Sequence, residues 1–476
     1  MAFIGKDIEI SRRAFLRRSS QLAVAGAASS YAMGLAGLAE AAAFSAGSDY
    51  KALVCVFLYG GNDHANTLIP FDDTNYGRYV NIRGRAADGG IALSQSSLAS
   101  TVLPTPSGQT LTDDMALALA PTMPRLAQRY REGAMAPLLN VGPLVVPLTK
   151  EQYQSDNNSR YPRPAKLFSH NDQQSTWQSS QPEGSVTGWG GRMGDLALSS
   201  NKNAMFTAIN ASGNAVFLAG KTALPYQVSR NGAVTIAGLS RRVYGSSEVA
   251  AALNGLMTSH HNHMLQEDHA QTVARSISYG QFVNDALAGA NLSTSFGSGN
   301  GLADQLSVIA RLIAARGALG VKRQVFMVGM GGFDNHDGLI GTHEGLLGGL
   351  DFALDAFYRA TVELGVADKV TTFTASDFGR TLASNGDGSD HGWGSHHFIM
   401  GGGVNGGRFY GRAPRISVNS PDEVGRGRLL PGTSVDEYSA TLAKWFGVSA
   451  SEIPSVSPNI GRFASPDLGF MNPPAS

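Results

Sequence analysis

The chain has 476 residues, with 37 Lys plus Arg against 37 Asp plus Glu and 42% hydrophobic residues. Apolar content at that level builds a sizeable core and excludes wholesale disorder, and a net charge of zero gives no support for nucleic acid or an anionic membrane as main partner. One cysteine, Cys55, excludes an intramolecular disulfide and a cysteine-based zinc cluster.

Residues 1–43 read as an export signal. Ser11-Arg12-Arg13-Ala14-Phe15-Leu16-Arg17 opens a basic region, Gln21 to Leu38 is weakly apolar, and small-residue cleavage choices such as Ala41-Ala42-Ala43 follow. The twin arginine followed by Phe-Leu indicates the twin-arginine (Tat) export machinery as a partner. No later segment reaches the eighteen or so apolar residues of a spanning helix, so a periplasmic or secreted protein with no stable membrane span is expected. Residues 44–476 are expected to form a single domain.

Along the mature chain, strand-like and helix-like stretches alternate. Ala52 to Leu58 is a continuous apolar run ending at Gly60-Gly61, the pattern of a strand buried on both faces. Residues 136–141, 325–328 and 370–374 read as further strands. Met123 to Arg131, Leu302 to Ala318 and His343 to Leu364 read as helices, and Leu253 to Ala288 as one long helix or a helix pair. Residues 77–113 and 146–163 show little period and read as long surface excursions. The alternation predicts an α/β fold: an open, mostly parallel sheet with helices on both faces.

In such a sheet, ligands bind beyond the carboxyl ends of the strands, and the polar clusters fall there. Gly60-Gly61-Asn62-Asp63-His64 follows the first strand, and Gly331-Gly332-Phe333-Asp334-Asn335-His336 follows the run ending at Val328. Ser376-Asp377-Phe378-Gly379-Arg380 follows the run ending at Thr374, and a loop then carries Asp390-His391-Gly392-Trp393-Gly394-Ser395-His396-His397. Seven of the eleven histidines lie in or near these motifs or in Ser169-His170-Asn171-Asp172. Aspartate with neutral histidine around one crevice suits Zn²⁺ or Mn²⁺, with iron also compatible. The same groups also serve as ordinary helix caps and turn formers.

Ser169 opens an expected helix. It reads either as a nucleophile or as an N-cap with Asp172 as its capping-box partner. Lys166 and Arg380 are candidates for holding an anionic group. His260, His261, His263 and His269 are expected together on a helix whose spacing suits a solvated face better than a metal site. Trp177, Trp189 and Trp393 read as binding platforms or as core.

The motifs F-L-Y-G-G-N-D-H-A-N-T, K-L-F-S-H-N-D-Q-Q-S-T-W-Q, G-G-F-D-N-H, S-D-F-G-R-T-L-A-S-N-G and D-H-G-W-G-S-H-H-F-I-M-G-G occur in this order from about residue 50 to 415. In them the chain resembles the Tat-exported bacterial family called domain of unknown function 1501, itself similar to a distant branch of the alkaline phosphatase and sulfatase superfamily. The resemblance implies an alkaline-phosphatase-like fold and one or two divalent metal ions. It implies Asp63, Asp334, His336, Asp377 and one of His391, His396 or His397 as ligands. Ser169 matches the nucleophile position, with Pro182 thirteen residues on. The Asp334/His336 pair is spaced D-x-H where the superfamily has D-x-x-x-H, and Phe378 stands where a second ligand is usual. Two readings follow: a metal-dependent hydrolase of phosphate, sulfate or related esters on a small or polymeric substrate, or a non-catalytic export, assembly or polysaccharide-binding protein on the same fold.

Overall fold

The computed structural model describes residues 49–473 apart from 182–183, 214, 235–244 and 261. The export signal, Pro182 and His261 therefore lie outside the described residues.

Nine strands form the main sheet: β1 (Lys51–Leu58), β2 (Met135–Gly142), β3 (Ala208–Asn210), β4 (Tyr226–Ser229), β5 (Gly232–Ala233), β6 (Arg323–Met330), β7 (Val370–Ser376), β8 (Ser395–Met400) and β9 (Thr433–Ser434). Their order is β9-β2-β8-β7-β1-β6-β3-β4-β5. The central run β7-β1-β6-β3-β4 is parallel, while β8 runs antiparallel to both neighbours and β5 to β4. Both outermost strands are two residues long, and beyond β9 the outer edge of β2 is bonded by Gly407 and Tyr410.

Strand periodicity explains the two-sided core. On β1, Ala52, Val54, Val56 and Leu58 face one apolar cluster, and Leu53, Cys55 and Phe57 face the other. Helices α1 (Pro124–Arg131), α6 (Gly301–Ala314) and α7 (Leu339–Glu363) cover the first face. The second is covered by α3 (Trp189–Ala197) and α8 (Val435–Phe446), with Trp177 of α2 (His170–Ser179). The fold is thus α/β, with a mostly parallel sheet and helices on both faces. Trp177, Trp189 and Trp393 are all buried, so they are core rather than exposed platforms.

Two segments differ from expectation, and a third takes one of the two forms expected of it. Residues 77–113 are largely at the surface, as expected, but are anchored rather than loose: Tyr79, Arg83, Ile91 and Leu98 are buried, Arg83 reaches inward to Asp63, and Val102–Leu103 joins Leu68–Pro70 and Leu117–Leu119 in a three-stranded sheet. The stretch from Leu253 is a helix pair, α4 (Ser247–Thr258) and α5 (Met264–Ala288), and His260 and His263 fall between the helices. Finally, α7 begins four residues before His343, which places that histidine inside the helix and buries it. Among the described residues no helix is long and apolar enough to cross a membrane.

Candidate metal centre

The ends of β1, β6 and β7 deliver their loops to one place. Gly60 and Gly61 have φ of +111° and +81°, and a Cβ on Gly60 would meet the Asp334 backbone nitrogen at 2.5 Å. Only glycine lets the turn after β1 pass that close to the loop after β6.

Beside this turn, three imidazoles and a carboxylate converge. Nε2 of His170 stands 3.0 Å from Nε2 of His391, and Nε2 of His336 stands 2.9 Å from the same atom. Asp334 offers Oδ2 at 3.3 Å from His170 and Oδ1 at 3.3 Å from His391 and 3.1 Å from His336. One ligand atom each from His170, Asp334 and His391 falls within 4.8 Å of the others, and His336 sits at the rim.

What lies behind each ring decides what the ring presents. Nδ1 of His170 is 2.6 Å from Asp377 Oδ2, a carboxylate oxygen that accepts. Nδ1 of His391 is 2.7 Å from the Phe168 carbonyl oxygen, and Nδ1 of His336 is 3.5 Å from Asp390 Oδ1. These partners place the proton of each neutral ring on Nδ1 and leave the Nε2 lone pairs facing one another and Asp334. Acceptors that meet at 2.9–3.3 Å repel unless a cation or a proton lies among them. Donors sharing one ion with bonds of about 2.0–2.1 Å stand roughly this far apart, and an imidazole–carboxylate set suits Zn²⁺ or Mn²⁺. The residues therefore fit a divalent metal.

The electrostatics agree. The hydrogen bond to Asp377 raises the pKa of His170, so positive charge is favoured there. Burial lowers that of His391 and keeps it neutral. Burial opposes ionisation of Asp334, but the hydrogen bond and charge of Arg380 outweigh it and hold the carboxyl below its usual range.

Of the sequence candidates, Asp334, His336 and His391 are brought together. Asp377 stands behind His170: its Oδ2 accepts from His170, from Gln174 Nε2 at 2.9 Å and from the Gly60 N–H at 3.1 Å. Oxygen support of this kind orients a metal-binding imidazole. Asp63 is placed elsewhere, with Oδ2 taken by Arg83 and Ser389 (2.7 Å each) and Oδ1 by the Asn66 N–H. His396 and His397 lie within β8 rather than on a loop, and both are buried. His396 Nδ1 accepts from the Asn140 N–H at 3.0 Å, and His397 packs between Trp177 and Tyr438. None of these three joins the cluster.

Arg380 is fully buried, and its Nη atoms donate to Asp334 Oδ1, Gly60 O and Ser389 O. It is committed to fixing Asp334, not to holding an anion. Lys166, expected on an anion, lies 3.1 Å from Asp172 Oδ1 with its side chain 60% exposed. Ser169 is the N-cap residue of α2 but makes no cap bond; its hydroxyl donates to Asp172 Oδ2 at 2.6 Å. The residue missed was His170, next to Ser169. Its one signal was membership of the histidines outside the 260–269 group.

Backbone strain accompanies the arrangement. Lys166 and Phe168 have φ of +48° and +73°, and the latter, costly for an aromatic residue, aims the Phe168 carbonyl at His391.

A family model described as Protein of unknown function (DUF1501) matches residues 50–426. The chain belongs to that family. No curated protein matches it. Solved structures that match this chain include Ps i-CgsB in complex with k-i-k-neocarrahexaose, at 11% identity, 88% of this chain, 77% of that one and a TM-score of 0.36. A Bacteroides thetaiotaomicron protein, solved in work on the metabolism of multiple glycosaminoglycans, matches at 11%, 86%, 74% and 0.36. The lipoteichoic acid synthase LtaP from Listeria monocytogenes matches at 8%, 86%, 74% and 0.32. Likenesses this distant transfer no residue roles.

Proposed function

We propose that this member of the family is an exported, divalent-metal-dependent hydrolase of phosphate, sulfate or related esters. The observation that carries the reading is the convergence of the Nε2 lone pairs of His170 and His391 on the Asp334 carboxylate, each ring fixed from behind by an oxygen. His170, His391 and Asp334, with His336 at the rim, would hold one ion, Zn²⁺ or Mn²⁺. An ion so held supplies Lewis-acid polarisation of the ester oxygen.

The chain's own residues supply the rest. Ser169 lies in sequence between Phe168, which orients His391, and His170. Its hydroxyl already donates to Asp172, so Asp172 Oδ2 is positioned to take the proton as Ser169 Oγ forms a bond to the phosphorus or sulfur and the bond to the leaving oxygen breaks. The leaving oxygen departs with the electron pair and is protonated from water, and a water then cleaves the Ser169 ester and restores the hydroxyl. Lys166 favours the anionic form of Asp172, and Arg380 does the same for Asp334.

The test is the metal content of the folded, signal-processed protein, compared with Asp334→Ala and His391→Ala and followed by a phosphoester and sulfoester panel. Metal in the parent that is lost in both variants, with ester turnover tracking it, supports the reading. A parent that contains no metal and takes up neither Zn²⁺ nor Mn²⁺ sinks it.

A further inference from the structure

We propose that Arg428 is the residue that receives the phosphate or sulfate group of the substrate beside the metal centre. The inference deepens the hydrolase reading and rests on it for the identity of the ligand as substrate. It replaces Arg380, whose Nη atoms are all engaged within the protein.

Arg428 is held where an anion receptor is needed. Its Nε donates to the His391 carbonyl oxygen at 2.8 Å, which ties it to the backbone of a cluster residue. Its guanidinium lies 5.1 Å from the centre of the Phe168 ring, the same residue whose strained backbone orients His391. The two contacts fix Arg428 to residues on either side of the Ser169 region, one in sequence and one across the fold.

The loop that carries it is also fixed. The Arg428 N–H donates to Gly425 O, the Val424 N–H donates to Arg428 O, and Glu423 Oε2 accepts from the Gly425 and Gly427 N–H groups.

The charge balance is the second observation. Neighbouring cations have carboxylate partners: Arg380 with Asp334, Arg426 with Asp390, Arg412 and Arg415 with Asp422, and Lys150 with Glu423. Arg428 is half-buried, yet among the described residues no carboxylate lies within ion-pair distance of it. Apart from the Nε bond, the only hydrogen bond of its side chain among the described residues is a long 3.5 Å contact from Nη1 to Gly425 O. A partly desolvated guanidinium held over a ring, with no carboxylate partner among the described residues, presents a planar fork matched to an oxyanion. Leaving it without a counter-charge is costly unless a ligand supplies one.

The test titrates the signal-processed protein with inorganic phosphate and with sulfate by calorimetry, after dialysis against a chelator so that metal cannot bind the anion. The parent, Arg428→Met and Arg428→Lys are compared. The expected result is that the parent binds at least one anion, Arg428→Met weakens it about tenfold or more, and Arg428→Lys, which keeps the charge but not the fork, falls between them. Metal content after reloading should be equal in all three. Should Arg428→Met fail to fold by circular dichroism, Arg428→Lys decides: a loss of at least about threefold supports the proposal, and unchanged affinity overturns it. A parent that binds neither anion, or anion affinity equal in the parent and a folded Arg428→Met, also overturns it. Failure of the hydrolase reading looks different: no metal taken up while Arg428-dependent anion binding persists.

Discussion

Two groups of histidines share this molecule and are built on opposite rules. His170 at the start of α2, His336 after β6 and His391 meet in one cluster, half-buried or exposed, each with an oxygen behind Nδ1. His64, His343, His396 and His397 are buried beneath and beside them, and among the described residues none has a carboxylate within ion-pair distance. His343 meets the Asn62 side chain at 2.9 Å, and His64 and His396 meet backbone N–H groups of Arg380 and Asn140. Burial pushes the pKa of His64 and His343 down to about 4 and that of His397 to about 3, with His396 also well below its ordinary value. These rings are neutral packing elements. Being histidine does not make a residue a ligand; an acceptor placed behind Nδ1 and an open Nε2 do.

The comparison breaks most forcefully through the buried side. Asp63→Ala leaves Arg83 charged, buried and without its carboxylate, and should cost about 3–5 kcal/mol in denaturant unfolding. Metal content per folded molecule should stay unchanged; if metal is lost instead, Asp63 belongs to the open group. Asp377→Asn strikes the open side by weakening the hold on His170, and should reduce Zn²⁺ affinity about 10–100-fold in a competition titration. A variant that binds Zn²⁺ like the parent removes Asp377 from the site.

The pH dependence of stability, measured with chelator present, separates the two groups by sign. For His64 and His343 the folded pKa lies below the ordinary 6.5, so the unfolded chain binds more protons between about pH 4 and 6.5. Their contribution is present above that window and is lost as pH falls through it, at up to about 1.4 kcal/mol per pH unit for each. His170 runs the other way: its raised folded pKa gives stability present at low pH and lost as pH rises through that value. His343→Gln should flatten the acid limb, and Asp377→Asn should remove the contribution of His170 that is lost as pH rises. The smallest effect is that of Lys166→Ala, whose ion pair with Asp172 is largely solvent-exposed on the lysine side. A change within about 1 kcal/mol is expected by thermal unfolding, and a larger one would give Lys166 a buried role it lacks in this arrangement.

Strands β1, β2, β6 and β7 were legible in the sequence because each carries an apolar run, unbroken in β1 and interrupted by threonines in β7, followed by polar residues; β3, β4, β5 and β9 are only two to four residues long and too short to show a period. Asp334 and His336 were legible for the same reason, since they sit just past the β6 run, and His391 because it lies in a short stretch dense in histidine. His170 was not, since its Nδ1 partner Asp377 is 207 residues away and its neighbour Ser169 carried the more familiar helix-start pattern. His396 and His397 misled because Ser395 to His397 continues directly into Phe398-Ile399-Met400. Pairing of β8 with β2 extends the strand back through the polar residues and buries them. Asp63 misled because the partner that engages it, Arg83, lies in a segment with little periodicity.

The large sheet tapers to two-residue strands at both ends. An incoming strand from another copy would find almost no continuous backbone ladder to extend at β5 or β9, and next to β9 the flank of β2 is already bonded by residues 407–410. Edge-to-edge sheet growth, the usual route to aggregation for an open sheet of this width, is thereby denied its template.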